Sequence, residues 1–416
     1  MTRRALKVLS LFSGCGGMDL GFEGGFMCHS KSIPPKYVAK RISENWVLNK
    51  KLKFTTIFAN DILPEAKFVW SNYMHRFKHQ SSMYHIGSIV DLVKAYHNGE
   101  YVFPHNIDVV TGGFPCQDFS VAGKRKGFNS SKDHNGNLRL DSEPSEETRG
   151  KLYFWMKQVI DITKPKIFIA ENVKGLINLG DVKTIIQNDF ANADDGGYIV
   201  LPPKVLHAGD YGVPESRERV IFIGIKKSAL NRKVLKALSS EKIPIEYDPY
   251  PTPTHACTFQ DKNLLPIVTC RDVFCGLQEP DDSDDLSHIN YSKAKYMGSH
   301  CQGQKEINLD NIAPTIRSEH HGNIEFRRLS KDHGGGNTKE VELGLKERRL
   351  TPRECALIQT FPPDFDFVLK EANAKKFLVN STNAYKVIGN AVPPVLAYNI
   401  AYRLQKLWDI YFDENG

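Results

Sequence analysis

Cys116 sits in Thr111-Gly-Gly-Phe-Pro-Cys-Gln-Asp-Phe-Ser120, directly behind the apolar run Ile107-Asp-Val-Val110. The run reads as a buried strand, and a lone Cys at the carboxyl end of a strand is where an α/β enzyme places a nucleophile. The two glycines are expected to let the chain turn sharply, and Pro115 stiffens the residue before the thiol. A buried, inert Cys is the commoner fate of this residue type, so the case rests on its company. Glu171 ends the apolar stretch Lys166-Ile-Phe-Ile-Ala-Glu-Asn-Val173, and a carboxyl at a strand end in a crevice is a candidate acid. Arg217 and Arg219 lie two apart in Asp210-Tyr-Gly-Val-Pro-Glu-Ser-Arg-Glu-Arg-Val220, on one face of an extended chain. There they can stabilise an anion or form a structural ion pair. Gly123-Lys-Arg-Lys-Gly-Phe128 is a basic, glycine-bounded loop beside the Cys and can grip phosphates.

These groups need a scaffold, and the sequence describes one. Lys7-Val-Leu-Ser-Leu11 reads as a first strand running into the glycine-rich Phe12-Ser-Gly-Cys-Gly-Gly-Met-Asp-Leu-Gly21, where bare backbone can approach a ligand. Thr55-Thr-Ile-Phe-Ala-Asn-Asp61 reads as a second strand ending in an acid, the position from which ribose hydroxyls are held in cofactor folds. An amphipathic helix is expected to about Ile162 and a strand over Val220–Gly224. In Arg349-Leu-Thr-Pro-Arg-Glu-Cys-Ala356, Thr351 is a helix cap, with Pro352 in the first turn and Glu354 three residues on. Ala384-Tyr-Lys-Val-Ile-Gly-Asn-Ala-Val-Pro-Pro394 precedes a last helix through about Trp408. Residues 29–54 are polar, basic and partly helical in pattern, an insertion suited either to DNA contact or to a solvated face. From about Lys226 to Glu347 the βα alternation is lost.

In their order, these segments resemble the cytosine-C5 DNA methyltransferases of bacterial restriction–modification systems. The resemblance rests on Gly112-Gly-Phe-Pro-Cys-Gln117 and five further motifs, and it covers most of residues 6–227 and 347–400. It implies an α/β, Rossmann-like S-adenosylmethionine-dependent domain with a mixed sheet and a smaller, irregular target-recognition domain. The division would be 1–226 catalytic, 227–347 recognition, and 348–416 a return segment completing the first domain. Cys116, Glu171, Arg217 and Arg219 would be catalytic. Phe12, Gly14, Gly16, Asp61, Ile62, Ser88, Ile89, Pro115, Leu152 and Asn390 would hold S-adenosylmethionine. Ser120, Lys124, Arg125, Lys126, Thr315, Arg317, Arg327 and Arg328 would contact double-stranded DNA. Thr315-Ile316 resembles the family's Thr-Leu marker. Ser88 stands where the family usually has Asp, Glu215 where it has Gln, and Ala391 where Ser is frequent.

Composition agrees with a globular protein: 41% hydrophobic and 25% charged residues. The net charge of +7 permits a polyanionic partner without demanding one. No apolar run is long enough to span a membrane, and Met-Thr-Arg-Arg meets only a short apolar strand, which argues against a signal peptide. Eight Cys without a Cys-x-x-Cys pair fit a reducing cytoplasm, and the spacing of His255, Cys257, Cys270 and Cys275 is not a zinc pattern, so no metal is expected. The resemblance further implies a monomer genetically paired with a restriction endonuclease. Two other readings stand beside it. One is the tRNA-methylating branch of the same fold, whose Cys-Phe-Thr signature is absent here, Ala256-Cys-Thr-Phe259 being the nearest stretch. The other is a non-catalytic DNA-binding scaffold. Cys116→Ser separates catalysis from scaffolding: turnover is expected to vanish while cofactor affinity in a binding titration stays within about twofold.

Overall fold

The computed structural model describes residues 4–115, 152–318, 322–371 and 375–412. Cys116, Ser120, Lys124, Arg125 and Lys126 lie outside the described residues. The main sheet is built from β1 (Leu6–Leu11), β2 (Phe54–Asp61), β3 (Tyr84–Ile86), β4 (Val109–Gly113), β5 (Ile167–Val173), β6 (Tyr198–Val200), β7 (Lys204–His207) and β8 (Glu218–Lys226). Its order is β7-β8-β5-β4-β1-β2-β3, with β6 also on β8. Strands β3, β2, β1, β4 and β5 pair in parallel, and β8 runs antiparallel between β5 and β7. This is the mixed sheet expected.

Side chains alternate along each central strand because successive Cβ atoms point to opposite faces. Ile167 and Ile169 of β5, and Ile221, Ile223 and Ile225 of β8, enter one core. Phe168, Ala170, Val220 and Phe222 enter the other. The second core is closed by α3 (Ile89–His97), α4 (Leu152–Thr163) and α5 (Val182–Ala191). The first is closed by α1 (Gly17–Glu23), α2 (Pro64–Met74) and the last long helix, α8 (Pro394–Tyr411), which follows α6 (Pro352–Ile358) and α7 (Ser381–Asn390). Contact between α1 and α8 is so close that a Cβ on Gly21 would lie 2.4 Å from that of Ala397. Burial on both faces makes these strands continuous apolar runs, each fully buried side chain contributing about 1.5–3 kcal/mol.

Two features differ from the sequence reading. Gly112 and Gly113 do not turn; they continue β4. Glycine leaves space there, because a Cβ on Gly112 would lie 2.9 Å from Met156 Sδ, and one on Gly113 2.8 Å from Glu171 Oε2, and either side chain would have to shift. The insertion at 29–54 forms two single 3-10 turns, Ser30–Ser32 and Pro35–Tyr37, and strands with an exposed outer face. Met27–His29, Val38–Arg41 and Trp46–Asn49 pair as a small antiparallel sheet. That sheet braces the region beyond the main sheet: His255 Nε2 meets the Lys31 carbonyl at 2.8 Å, and Lys31 pairs with Asp272 at 2.7 Å. Residues just past 226 bond back to the last helix and to β8. Asn231 N–H donates to the Tyr411 carbonyl at 3.1 Å, and the Tyr250 hydroxyl donates to the Ile221 carbonyl at 3.0 Å.

The irregular region between is held by buried charge. Arg348 donates to both Glu354 oxygens at 2.8 and 2.9 Å and to both Glu279 oxygens at 2.9 and 3.2 Å. Thr351 and Glu354 form the expected capping box at the start of α6. Burial opposes ionisation of Glu354, but the neighbouring Arg348 and Arg327 outweigh it and hold its pKa down at about 2. A carboxyl depressed in the folded state stabilises above its ordinary value and loses that contribution as the pH falls toward its folded value. Glu354→Gln is therefore expected to cost about 3–5 kcal/mol near neutrality. Read by thermal unfolding, its deficit should shrink between about pH 4.5 and pH 2. A deficit independent of pH over that window would mean that the charge is not what stabilises.

Candidate active site

Strand order reverses at β1: β2 and β3 lie to one side and β4 and β5 to the other. A crevice opens at such a switch point, beyond the carboxyl ends of the strands. Leu11 and Gly112 are register partners there, so the loop after β1 and the Phe114-Pro115 segment after β4 leave the sheet side by side.

The loop after β1 is tightly pinned. Phe12 and Gly14 have φ of 52° and 54°. Gly14 N–H donates to Asp61 Oδ2 at 3.0 Å, and its carbonyl accepts from the buried Tyr84 hydroxyl at 2.8 Å. Gly16 has φ of 89°, and a Cβ on it would lie 2.6 Å from Trp70 Cδ1. That indole in turn donates to Asp19 Oδ2 at 2.8 Å. Burial pushes the Asp19 carboxyl up to about 6, against hydrogen bonds from Ser10 and Trp70.

Asp61 closes β2, and Oδ1 also accepts from Leu63 N–H at 3.0 Å. Burial raises its pKa, opposed by these backbone donors. A carboxylate has about four lone-pair sites, so two backbone bonds leave room for two hydroxyl donors. Beside it, Ile62 is 39% exposed and Ile86 is 46% exposed, apolar walls at the ends of adjacent strands. A Cβ on Gly14 would meet nothing within 4 Å, so there is open space over the loop. Acid, apolar walls and open backbone together fit a nucleoside with an amino-acid tail. Ile86 was missed in the sequence; its signal is a large apolar residue just before Gly87-Ser88. The Ser88 hydroxyl accepts from Val90 N–H at 3.3 Å as the cap of α3, of which Ile89 is the first, buried residue. Leu152 is buried at the start of α4, Pro115 is half-buried, and Asn390 is exposed at the end of α7.

On the other side of β4, Glu171 faces Gly113 across the β4–β5 pairing. Its Oε1 pairs with Arg219 Nε at 2.7 Å, both side chains about 10% exposed. Asn172, next along β5, donates to the Phe114 carbonyl at 3.0 Å and accepts from Val173 N–H at 2.8 Å. It therefore fixes the backbone two residues before Cys116, a positioning role that its place next to Glu171 could have suggested.

Three arginines require correction. Arg217 is 1% exposed, with Nη1 on the Ile316 carbonyl at 3.0 Å and Nη2 on the Gly389 and Ala391 carbonyls at 2.9 and 2.7 Å. It staples backbone together, so it does not stand in the cleft with Arg219. Arg328 is 1% exposed and is paired with Glu279 and Glu340; Arg327 pairs with Glu340 and lies over the Phe274 ring. Guanidinium groups so engaged are not presented to DNA. Arg317 donates to Gln302 Oε1 at 2.7 Å and Glu325 Oε1 at 3.1 Å, and Thr315 donates to the Ser216 carbonyl. Ligand atoms of His207, Asp210 and Cys257 come within 4.8 Å of one another. Both Asp210 oxygens there already accept from Thr258 at 2.7 Å, and His207 Nδ1 accepts from Gly209 N–H at 3.2 Å.

The pattern of C-5 cytosine-specific DNA methylases matches residues 6–406, nearly the whole chain. The chain belongs to this family. Type II methyltransferase M.BsuRI of Bacillus subtilis is 31% identical, the match covering 99% of this chain and 81% of that protein. M.BspRI of Lysinibacillus sphaericus is 30% identical over 98% and 84%. Among solved structures, the S. pombe Dnmt2 methyltransferase superposes with a TM-score of 0.54 at 17% identity, covering 97% of this chain and 99% of that one. The Entamoeba histolytica methyltransferase EhMeth does so at 0.55 and 14%, covering 98% and 99%. These likenesses show the methylase fold.

For a C5 methylase the close approach of Gly113 to Glu171 has a direct consequence. Gly113→Ala must displace the carboxylate by several tenths of an ångström. Its kcat is expected to fall at least about tenfold, since small misplacements of a reacting group are costly. Melting temperature and cofactor affinity should change little by comparison. An unchanged kcat would mean that the carboxylate is free to move.

Proposed function

We propose that this DNA cytosine-C5 methyltransferase is the modification enzyme of a type II restriction–modification system. It would act in the cytoplasm, as a monomer, on one short site in double-stranded DNA, paired genetically with an endonuclease. The division into residues 1–226, 227–347 and 348–416 belongs to the same proposal. The observation that carries the chemistry is the Glu171–Arg219 pair, held against bare backbone at Gly113, three residues before Cys116.

Cytosine C5 is a weak nucleophile, and attack on C6 by a thiolate makes it an enamine carbon. Cys116 forms the sulfur–C6 bond, and the displaced electron density spreads to N3 and O2. Glu171, once it has taken up a proton as the cytosine enters, gives it to N3 and recovers it when the C6–sulfur bond breaks, and Arg219 faces O2. S-adenosylmethionine, when bound, supplies the methyl group that C5 takes. Asp61 holds the ribose hydroxyls, Ile62 and Ile86 cover the adenine, and Phe12, Gly14, Gly16 and Asn390 line the remainder. A base or water then removes the C5 proton, the C6–sulfur bond breaks, and Cys116 leaves as thiolate. The target base cannot be reached within a stacked duplex, so it must be flipped out. The Lys124–Phe128 loop is assigned to closing behind it.

Expression in a host lacking cytosine methylation, followed by single-base mapping of C5-methylcytosine, tests this reading. Methylation is expected at one short motif throughout the genome. A folded, cofactor-binding protein that leaves the DNA unmodified would overturn it in favour of an RNA substrate or a scaffold.

A further inference from the structure

Beside the cleft, one peptide segment of the irregular region is held from both sides by Glu215 and Arg217, two side chains of the short stretch that leads into β8. Glu215–Ser216 pairs in parallel with Ala313–Pro314, a ladder of only two residues. Backbone groups past such a short ladder need other partners. For Ile316, side chains supply them: Glu215 Oε1 accepts from its N–H at 2.7 Å, and Arg217 Nη1 donates to its carbonyl at 3.0 Å. Both side chains are essentially unexposed. The second arm of Arg217 holds the Gly389 and Ala391 carbonyls, on either side of Asn390. There is no slack on that side, because a Cβ on Gly389 would lie 2.1 Å from the Arg317 carbonyl. Glu215 and Arg217 flank a tight turn in which Arg217 N–H donates to the Glu215 carbonyl at 3.0 Å, and Arg219 follows at the start of β8. The first two grip that segment, and the third pairs with Glu171.

We infer that Glu215 and Arg217 form a latch that fixes Thr315–Ile316 relative to the catalytic carboxylate, which makes Glu215 a positioning residue for DNA-site choice. The inference rests on the expectation that Thr315 meets DNA. The working atom is the Oε1 acceptor; Oε2 is buried with no hydrogen-bond partner among the described residues. A glutamine keeps that acceptor, in line with the Gln that the family usually carries here.

Glu215→Ala, Glu215→Gln and Thr315→Val, each as the full chain, are compared for DNA KM, kcat, S-adenosylmethionine affinity and methylation at sites one base from cognate. Glu215→Ala is expected to raise DNA KM and near-cognate methylation at least about tenfold with cofactor affinity unchanged, the loss expected when a buried donor is left unpaired. Glu215→Gln should restore both to within about threefold of wild type. Unchanged KM and site choice in Glu215→Ala overturns the latch, as does an equal fall in cofactor affinity and activity, the mark of general destabilisation. Glu215→Gln as impaired as Glu215→Ala also overturns it. If Glu215→Ala does not fold, Arg217→Lys carries the same test, since an ammonium cannot serve three divergent carbonyls in the guanidinium's place. A Thr315→Val that leaves DNA KM and site choice untouched overturns the DNA reading of Thr315. One that changes them beside a silent Glu215→Ala overturns the latch alone.

Discussion

The ion pair between Glu171 and Arg219 is the constraint around which the molecule is arranged. It ties the last parallel strand, β5, to the antiparallel β8 at the rim of the cleft. In water such a pair is worth little, but here both partners are about nine-tenths buried, where an unpaired charge is costly. Keeping them in register requires bare backbone at Gly113, and so sets the sequence of β4. It also fixes the start of β8, and with it the residues that lead back to the recognition region.

Much of the fold could be read directly from the chain because its signals are local. Apolar runs buried on both faces gave β1, β2, β5 and β8 within a residue or two, and the Thr351–Glu354 box set the start of α6. What the sequence did not reveal was depth. Arg327 and Arg328 look like a basic surface because a one-dimensional pattern shows charge but not partners. Arg328 meets its carboxylates 12 and 49 residues away, and Arg217 meets Glu215 two residues away but backbone carbonyls up to 174 away. The glycine pair was read as a turn because glycine signals both flexibility and lack of bulk; only the neighbouring β5 and α4 decide between them. The insertion at 29–54 was only half legible for a similar reason: most of its Lys and Arg residues are exposed, as a solvated face would be, while Ser32, Ile33 and Val47 are buried.

The irregular region substitutes side-chain-to-backbone bonds for a sheet. Arg349 donates to the carbonyls of Ala294, Lys295, Gly303 and Ile324, gathering three chain segments around one guanidinium. Arg353 joins the Phe365 carbonyl to the carboxylates of Asp285 and Asp366. This construction leaves the intervening loops free to vary in sequence and length while their ends stay anchored. Loops anchored in this way can diverge without disturbing the core beside them.

The contact between α1 and α8 also governs how the protein is made. Gly17 lies against the Val392 carbonyl and Gly21 against Ala397, residues separated by almost the entire polypeptide. Helix α1 is made long before the surface it packs on. At ordinary elongation rates the wait is on the order of tens of seconds. Throughout that time the glycine loop leads into a helix without its partner, and contacts of such high sequence separation form slowly. The nascent chain thus cannot complete its cofactor-side packing until nearly all of it has left the exit tunnel.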